Sequence, residues 1–125
     1  MVLATGGLGY IGSHTCIDLI NEGYDVLILD SLINSPINNL EKIKKIININ
    51  KKNIRGKLTF QKGDLKDKKW LDSIFKKQIL LKNPIESVIH FAGLKSVSDS
   101  VKSPLSYWEN NITGTINLLK IMNKY

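Results

Sequence analysis

Three glycines near the amino terminus have a spacing that suits a phosphate-containing ligand. Gly6, Gly9 and Gly12 follow the pattern G-x-x-G-x-x-G, between an apolar run at residues 1–4 and a segment of helical periodicity. Gly6 can take the positive φ of a tight turn, and the missing side chain at Gly9 lets a pyrophosphate approach the backbone. Gly12 lets the first helical turn pack closely, and the N–H groups at that helix start attract an anion. The pattern indicates a dinucleotide site, with an ordinary glycine-rich turn as the alternative.

A carboxylate further along favours the dinucleotide interpretation. Residues 25–30 predict a buried strand that ends in Asp30, eighteen residues after Gly12. That distance is close to the roughly 20 residues at which an acid binds an adenosine ribose. Because a carboxylate repels a 2′-phosphate and no Arg follows within residues 31–35, the expected cofactor is NAD rather than NADP.

Strands and helices alternate along the chain. The predicted strands cover residues 1–4, 25–30, 57–62 and 87–91, and the predicted helices cover residues 11–21 and 39–47, a segment around 70–75 that ends before 83–84, and residues 103–124. Residues 48–56 are polar and predict a loop. The alternation predicts an α/β fold, a Rossmann-type doubly wound parallel sheet with four βα units, as one domain over residues 1–125.

Apolar spacing predicts which helix faces are buried. The expected inner positions are Leu40, Ile43, Ile46 and Ile47 in the second helix, Trp70, Leu71, Ile74 and Phe75 in the third, and Tyr107, Ile112, Ile116, Leu119 and Met122 in the last. Cys16 is expected to be a small buried packing residue, and His90 a hydrogen-bonded core histidine.

Polar residues at three places are candidates for specific tasks. Asp64 follows the third strand, where it could cap the next helix or accept a hydrogen bond from an adenine amino group. Lys95 follows the end of the fourth strand, the ligand side of a parallel sheet. Asn110 and Asn111 lie inside a helix, where Asn is a poor helix former. They predict either a buried hydrogen-bonding task or plain exposure.

Composition narrows the class of protein. The chain has 125 residues, of which 42% are hydrophobic and 23% charged, which is ordinary for a soluble domain. A net charge of +7 invites a nucleic-acid interpretation, but the lysines are scattered rather than interleaved with aromatic residues, so no nucleic acid is expected. We expect no membrane span, no signal peptide and a cytoplasmic location. A single cysteine predicts neither an internal disulfide nor a metal site.

Four segments together resemble one family. They are residues 5–14, 29–30, 63–64 and 90–97, joined by the run Pro104-Leu105-Ser106-Tyr107-Trp108-Glu109-Asn110-Asn111. In these segments the chain resembles the extended short-chain dehydrogenase/reductase family, nearest to its NAD-dependent sugar-nucleotide epimerases and dehydratases. The resemblance covers nearly the whole chain.

The resemblance implies roles for individual residues. Gly6, Gly9, Tyr10, Ile11 and Gly12 would line the pyrophosphate; Asp30, Asn34 and Ser35 would hold the adenosine ribose; Asp64 and Leu65 would flank adenine; Phe91, Ala92, Gly93, Lys95 and Asn110 would border the rest of the NAD cofactor. Ser31 departs from the Asn that is common after the acid, which puts its contact in doubt.

The resemblance also implies a reaction and a partner. The 4-epimerases of the family oxidise a UDP-hexose substrate at C4 with tightly bound NAD and return the hydride to the other face, with a Tyr-x-x-x-Lys pair as base. No such pair occurs in this sequence, because Asn111 follows Tyr107 by four residues and no residue follows Tyr125. The resemblance therefore implies the amino-terminal NAD-binding part of such an enzyme, an incomplete Rossmann domain truncated after the fourth βα unit and without the substrate domain. We expect no catalytic residues, no metal and no turnover by these residues alone, and a homodimer for the complete enzyme. A different sugar-nucleotide enzyme, such as a 4,6-dehydratase, and a non-catalytic nucleotide-binding module remain alternatives.

Overall fold

The computed structural model describes residues 1–49 and 56–125. The elements in chain order are β1 (Val2–Thr5), α1 (Tyr10–Asn21), β2 (Val26–Asp30), α2 (Asn38–Ile49), β3 (Leu58–Lys62), α3 (Lys68–Leu80), β4 (Ser87–His90), α4 (Val97–Lys102), α5 (Pro104–Trp108), a π-helical turn (Glu109–Thr113) and α6 (Gly114–Met122). The alternation of strands and helices agrees with the sequence-based prediction.

All strand pairs are parallel, and the sheet has the order β3-β2-β1-β4. The two central strands, β1 and β2, are buried along their whole length, as their continuous apolar runs require. After β3 the chain crosses to the far side of β1, so the strand order reverses between β1 and β4. Ligands of open α/β sheets bind beside the carboxyl ends of the strands at such a reversal. The predicted doubly wound parallel sheet is confirmed.

The described residues form two compact units, and the first comprises Met1–Lys62 and Ile85–Phe91. It contains the whole sheet with α1 and α2. Its buried core cluster consists of Ala4, Leu8, Cys16, Ile20, Val26, Ile28, Leu40 and Ile43. In α1 the buried positions Gly12, Cys16 and Ile20 recur every four residues, so one face of that helix packs inward.

Helix α2 departs from the prediction in two respects. It continues through Asn48 to Ile49, so the predicted loop at 48–56 begins two residues too early; its residues 50–55 lie outside the described part of the chain. Ile46 is 42% exposed although Leu40 and Ile43 are buried. At about 100° per residue, Ile46 is rotated by roughly 90° from the direction shared by the buried positions, while Ile47 stays near it. Ile47 accordingly packs against the core cluster.

The second unit comprises Gly63–Pro84 and Ala92–Tyr125. Leu71, Ile74 and Phe75 of α3 are buried as predicted, and α3 contacts α6. Beyond α6, the Lys124 ammonium pairs with the Asp72 carboxylate at 2.5 Å. This hydrogen bond lowers the pKa of Asp72 and raises that of Lys124.

The predicted face of the last helix is wrong. Ile112 and Leu119 are 45% and 56% exposed, and the buried residues of α6 are Gly114, Leu118 and Ile121. A Cβ on Gly114 would lie 3.3 Å from the Leu65 Cβ, so the missing side chain permits the close contact that selects this face. Glycine adds nothing to an apolar pattern, so the spacing of large apolar residues indicated the opposite side. The single predicted helix is also divided into α5, the π-helical turn and α6.

Among the described residues, no helix combines the length and the apolar character needed to cross a membrane.

Cys16 is predicted to react slowly with thiol reagents while the protein is folded. The residue is buried, and burial raises the pKa of its thiol from 9.0 to about 12. At pH 8 the reactive thiolate is therefore depleted by roughly a thousandfold relative to an exposed thiol. We expect labelling by 5,5′-dithiobis(2-nitrobenzoate) to be on the order of 100-fold slower in buffer than in 8 M urea, once occasional opening is included. Equal rates, with glutathione as the free-thiol control, would show that the site is open.

Candidate functional site

The loop between β1 and α1 has the geometry predicted for a phosphate-binding turn. Gly6 has φ 65°, a left-handed conformation that glycine adopts without strain. Its N–H donates to the Leu29 carbonyl at 2.7 Å, and its carbonyl accepts from the Gly9 N–H at 3.0 Å. Gly9 is the N-cap of α1 and has no side chain with which to cap it. The N–H groups of the first helical turn therefore face the position at which helix starts bind anions.

Two further glycines allow the loop to pack closely. A Cβ on Gly12 would lie 2.6 Å from the Gly6 carbonyl oxygen and 2.9 Å from the Gly7 Cα, which is closer than real Cβ atoms approach backbone. A Cβ on Gly7 would lie 3.0 Å from two side-chain carbons of Ile28. The predicted role of Gly12 in close packing is confirmed, and Gly7 is a packing glycine that the spacing argument did not single out.

The carboxylate of Asp30 is buried and holds two backbone segments. One oxygen accepts from the Leu8 N–H at 3.0 Å, inside the glycine loop, and the other accepts from the Leu32 N–H at 2.9 Å. Leu32 has φ 64°, and its bond to Asp30 fixes this strained turn. Each carboxylate oxygen retains a second acceptor site, which is what two ribose hydroxyls would need. Asp30 is therefore a buried structural acceptor and not a solvated turn residue.

Asn39 completes the support of the loop. Its side-chain amide donates to the Leu8 carbonyl at 2.8 Å, so the peptide groups of Leu8 are held by Asp30 on one side and by Asn39 on the other. Sequence reasoning missed this residue, because Asn39 is separated from the loop by thirty-one positions and stands in an Asn-rich segment. No local signal distinguishes it from its neighbours.

The remaining predicted residues of the first unit lie around this loop. The Ser35 Oγ is 3.8 Å from where a Cβ on Gly9 would be, while Asn34, Tyr10 and Ile11 are exposed. The unit thus brings Ser35 to the glycine loop, and the ligand roles of all four residues stay predictions.

Thr5 and His90 join the ends of β1 and β4. They are register partners, and the Thr5 Oγ1 lies 2.5 Å from the His90 Nδ1. The Phe91 N–H also donates to the Thr5 carbonyl at 2.9 Å. His90 is hydrogen-bonded as expected but is not a core residue, because it is exposed at the end of β4, which pairs only with β1 among the described strands. Partial desolvation lowers the pKa of His90.

In the second unit, the turn at Gly63–Asp67 contains the predicted adenine residues. Asp64 does not cap α3; the cap is Asp67, whose carboxylate accepts from the Trp70 N–H at 2.9 Å. The reason is position, because an N-cap residue directly precedes the first helical residue, here Lys68. The Trp70 ring lies over Gly63, where a Cβ would come within 2.2 Å of it.

Asn111 holds the segment that follows β4. Its Oδ1 accepts from the Leu94 N–H at 2.8 Å, and its Nδ2 donates to the Leu94 carbonyl at 2.9 Å. Asn110 donates to the same Oδ1 at 3.0 Å. Both asparagines belong to the π-helical turn, a feature frequent at functional sites. The predicted hydrogen-bonding task is confirmed for Asn111. This residue is not among the cofactor-binding residues that the resemblance implies.

The other predicted residues of this segment have different environments. Ala92 is half-buried, Gly93 lies beside Asn111, and Lys95 is exposed. A Cβ on Gly93 would be 3.5 Å from the Asn111 Oδ1, an ordinary contact distance. The contact of each with a cofactor stays a prediction.

Comparison with known proteins identifies the family. The model of the family described as GDP-mannose 4,6 dehydratase matches residues 3–125. The chain belongs to this family. Membership confirms the resemblance to sugar-nucleotide epimerases and dehydratases that the motifs indicated.

Curated relatives in this family include the UDP-glucose 4-epimerase of Bacillus subtilis, 49% identical over 125 residues, and UDP-glucose 4-epimerase uge1 of Schizosaccharomyces pombe, 49% identical over 124. Each alignment covers 99% of this chain and 33% or 32% of the relative. The chain thus spans about a third of the length of the curated relatives it matches.

Solved structures of the same family have the same fold. The UDP-glucose 4-epimerase of Stenotrophomonas maltophila, with bound NAD and formylated UDP-arabinopyranose, has a TM-score of 0.83 and 39% identity. That of Bifidobacterium longum, in complex with NAD+ and UDP, has a TM-score of 0.81 and 40% identity. Both similarities cover 98% of this chain and 33% of the neighbour.

Proposed function

We propose that residues 1–125 form the NAD-binding Rossmann domain of a UDP-glucose 4-epimerase, which interconverts UDP-glucose and UDP-galactose. The observation that carries the cofactor part is the hydrogen bond from the Leu8 N–H to the Asp30 carboxylate, which joins the glycine loop to a ribose-binding acid. Support for the sugar substrate comes from the 49% identity to the Bacillus subtilis epimerase.

The first unit would bind the phosphate and ribose groups. Its glycine loop and helix start offer backbone N–H groups and a positive dipole to the pyrophosphate. The residues assigned there are Gly6, Gly9, Tyr10, Ile11 and Gly12. Asp30 would accept hydrogen bonds from both ribose hydroxyls, with Asn34 and Ser35 beside it. Phe91, at the end of this unit, would border the nicotinamide half.

The second unit contains the residues that the resemblance assigns to the two ends of the dinucleotide. Asp64 and Leu65 are assigned to adenine and Ala92, Gly93 and Lys95 to the nicotinamide half, and Asn110 would also touch the cofactor. The Asn111 side chain would keep the Leu94 backbone in place through its two hydrogen bonds, so that the neighbouring Gly93 and Lys95 present a fixed surface.

NAD supplies a reversible hydride acceptor for a reaction in which hydride leaves C4 of the hexose and returns to its other face. The residues in this sequence bind and orient that group, and the 125 residues contain no Tyr-x-x-x-Lys pair to move the hydroxyl proton. We therefore expect that this chain, with added NAD, does not convert UDP-galactose to UDP-glucose. Chromatography of the nucleotide sugars measures the conversion. Steady conversion would contradict the assignment of the chemistry to other residues.

NAD is predicted to bind far more tightly than NADP. A buried Asp30 carboxylate with its two backbone N–H donors cannot move away from a 2′-phosphate, so two negative charges would be held close together. We expect a preference on the order of 100-fold in dissociation constant by isothermal titration calorimetry. ADP-ribose and its 2′-phosphate test the adenosine half alone. Equal affinities within either pair would remove Asp30 from the ribose site.

A 4,6-dehydratase is the second candidate, because the matching family model carries that description. Both enzymes begin by oxidising a hexose at C4, so the cofactor residues named above suit either. The products of the complete enzyme distinguish them: a dehydratase forms a 4-keto-6-deoxy sugar, whereas an epimerase returns a hexose of unchanged composition. The third possibility, a binding module without a reaction, predicts NAD binding and neither product even from the complete protein.

We also propose a homodimer, formed through the exposed apolar side of the last helices. Leu105, Trp108, Ile112, Ile116 and Leu119 are all exposed and recur every three or four residues. For the complete enzyme, we expect sedimentation equilibrium to give twice the subunit mass, and the subunit mass alone for its Trp108→Glu variant. Leu80→Glu, at an exposed apolar position on α3, is the matched control and should leave the mass doubled.

A cytoplasmic location stays a prediction, which cell fractionation would test.

A further inference from the structure

The turn that follows β3 holds the Asp64 carboxylate in one orientation. One oxygen accepts from the Lys66 N–H at 2.9 Å, and the other pairs with the Lys66 ammonium at 3.4 Å. The backbone N–H fixes direction more strictly than the long ammonium side chain does, because it belongs to a planar peptide group. The orientation of the carboxylate therefore depends on the peptide between Leu65 and Lys66.

That peptide is held in turn by Asn117 of α6. The Asn117 Nδ2 donates to the Leu65 carbonyl and to the Lys66 carbonyl, both at 3.1 Å. Gly114, one helical turn earlier, permits the close approach of Leu65 to the same helix, since an added Cβ would lie 3.3 Å from the Leu65 Cβ. The turn is thus fastened to α6 by a side-chain amide and by close packing.

Both bonds act on one peptide group. The Leu65 carbonyl accepts from Asn117, while the N–H of the same peptide donates to Asp64. Hydrogen bonds linked through a peptide polarise one another and strengthen together. A change at Asn117 therefore reaches the Asp64 carboxylate through two consecutive hydrogen bonds.

We propose that Asn117 is a positioning residue for recognition of the adenine base, acting through the Leu65–Lys66 peptide on Asp64. The proposal rests on the proposed NAD-binding function. Asp64, held in this way, accepts a hydrogen bond from the adenine 6-amino group. Hypoxanthine has a carbonyl oxygen at that position, which repels the carboxylate instead. Discrimination between these two bases therefore measures the orientation of Asp64.

The experiment compares NAD with nicotinamide hypoxanthine dinucleotide by isothermal titration calorimetry. We expect the protein to favour NAD by about 10- to 100-fold, the range for one hydrogen bond to a charged group. Asn117→Leu keeps the size of the side chain but removes the donor, and we expect the preference to fall below about 3-fold. A second variant, Asn117→Asp, places an acceptor against two carbonyl oxygens and should give the same loss if the leucine variant fails to fold.

Asn123→Leu is the matched control, since Asn123 is exposed and lies just beyond α6. It should keep the full preference for adenine. A protein that favours NAD but keeps its preference in both Asn117 variants would overturn the proposal, as would a protein that binds the two dinucleotides equally well. Failure of the unaltered protein to bind either dinucleotide would instead refute the NAD-binding function itself. The base preference separates positioning from a loss of stability, which would weaken both ligands alike.

Discussion

Alanine in place of Gly12 is expected to abolish NAD binding and to lower the free energy of unfolding by about 3 kcal/mol. The added Cβ would meet the Gly6 carbonyl oxygen at 2.6 Å and the Gly7 Cα at 2.9 Å. Both contacts are backbone atoms, so no side-chain rotation can relieve them, and α1 must move away from the loop. Because Gly12 lies in the first turn of α1 and packs against Gly6, the N–H groups at the start of that helix would be displaced by the same movement.

Urea unfolding followed by circular dichroism, together with calorimetric titration of NAD, measures both effects. Gly93→Ala is the matched control for stability, because its Cβ would meet only the Asn111 side chain, with the Oδ1 at 3.5 Å and the Cγ at 3.9 Å. We expect that control to unfold within about 0.5 kcal/mol of the unaltered protein. A Gly12→Ala protein as stable as this control, with unchanged affinity for NAD, would show that the loop tolerates expansion.

Replacing Asp30 with alanine is expected to lower the free energy of unfolding by about 3–5 kcal/mol and to remove detectable NAD binding. The change leaves the Leu8 N–H, which is fully buried, and the Leu32 N–H without their acceptor. It also releases Leu32 from the bond that fixes its left-handed turn. The affinity for NAD falls for two reasons, because both the ribose acceptor and the shape of the glycine loop depend on the same carboxylate.

Asp30→Asn separates the two contributions. The amide keeps one acceptor oxygen and the size of the side chain, so we expect a smaller loss of stability, about half of that for alanine. Its affinity for NAD should still fall by about tenfold, because an amide offers one ribose acceptor instead of two. An alanine variant with unchanged urea midpoint and NAD affinity would mean that the carboxylate is dispensable for both roles.

The elements that the sequence predicts well are those with local signals. The spacing of Gly6 and Gly12 alone predicts the turn. The apolar run before Gly6 and the apolar run that ends at Asp30 predict the two central strands. The predicted bounds of α1 agree with the structure to within one residue, and periodicity identified Leu71, Ile74 and Phe75 as buried side chains of α3. Asp30 was identified from its position at the end of a strand.

The features that sequence reasoning missed depend on contacts between distant residues. Asn39 and Asn117 each hold a backbone segment by hydrogen bonds to peptide groups 31 and 52 positions away. An asparagine-rich composition hides such residues, since nothing local marks the two that form these bonds. The face of the last helix was misjudged for a related reason: Gly114 selects that face by having no side chain, and a hydrophobic pattern registers only large ones.

The hydrogen bonds that hold the peptide groups of Leu8 should affect the rate at which a ligand associates. Because Asp30 and Asn39 already bind the N–H and carbonyl of Leu8, the loop needs no ligand to adopt its shape. Binding then spends little conformational entropy on ordering the loop, and association is governed by diffusion and charge rather than by a slow folding step. With a net charge of +7, the protein attracts an anionic dinucleotide from a distance, so encounter becomes faster as ionic strength falls. We then expect differences in affinity to arise mainly from the rate at which the ligand dissociates.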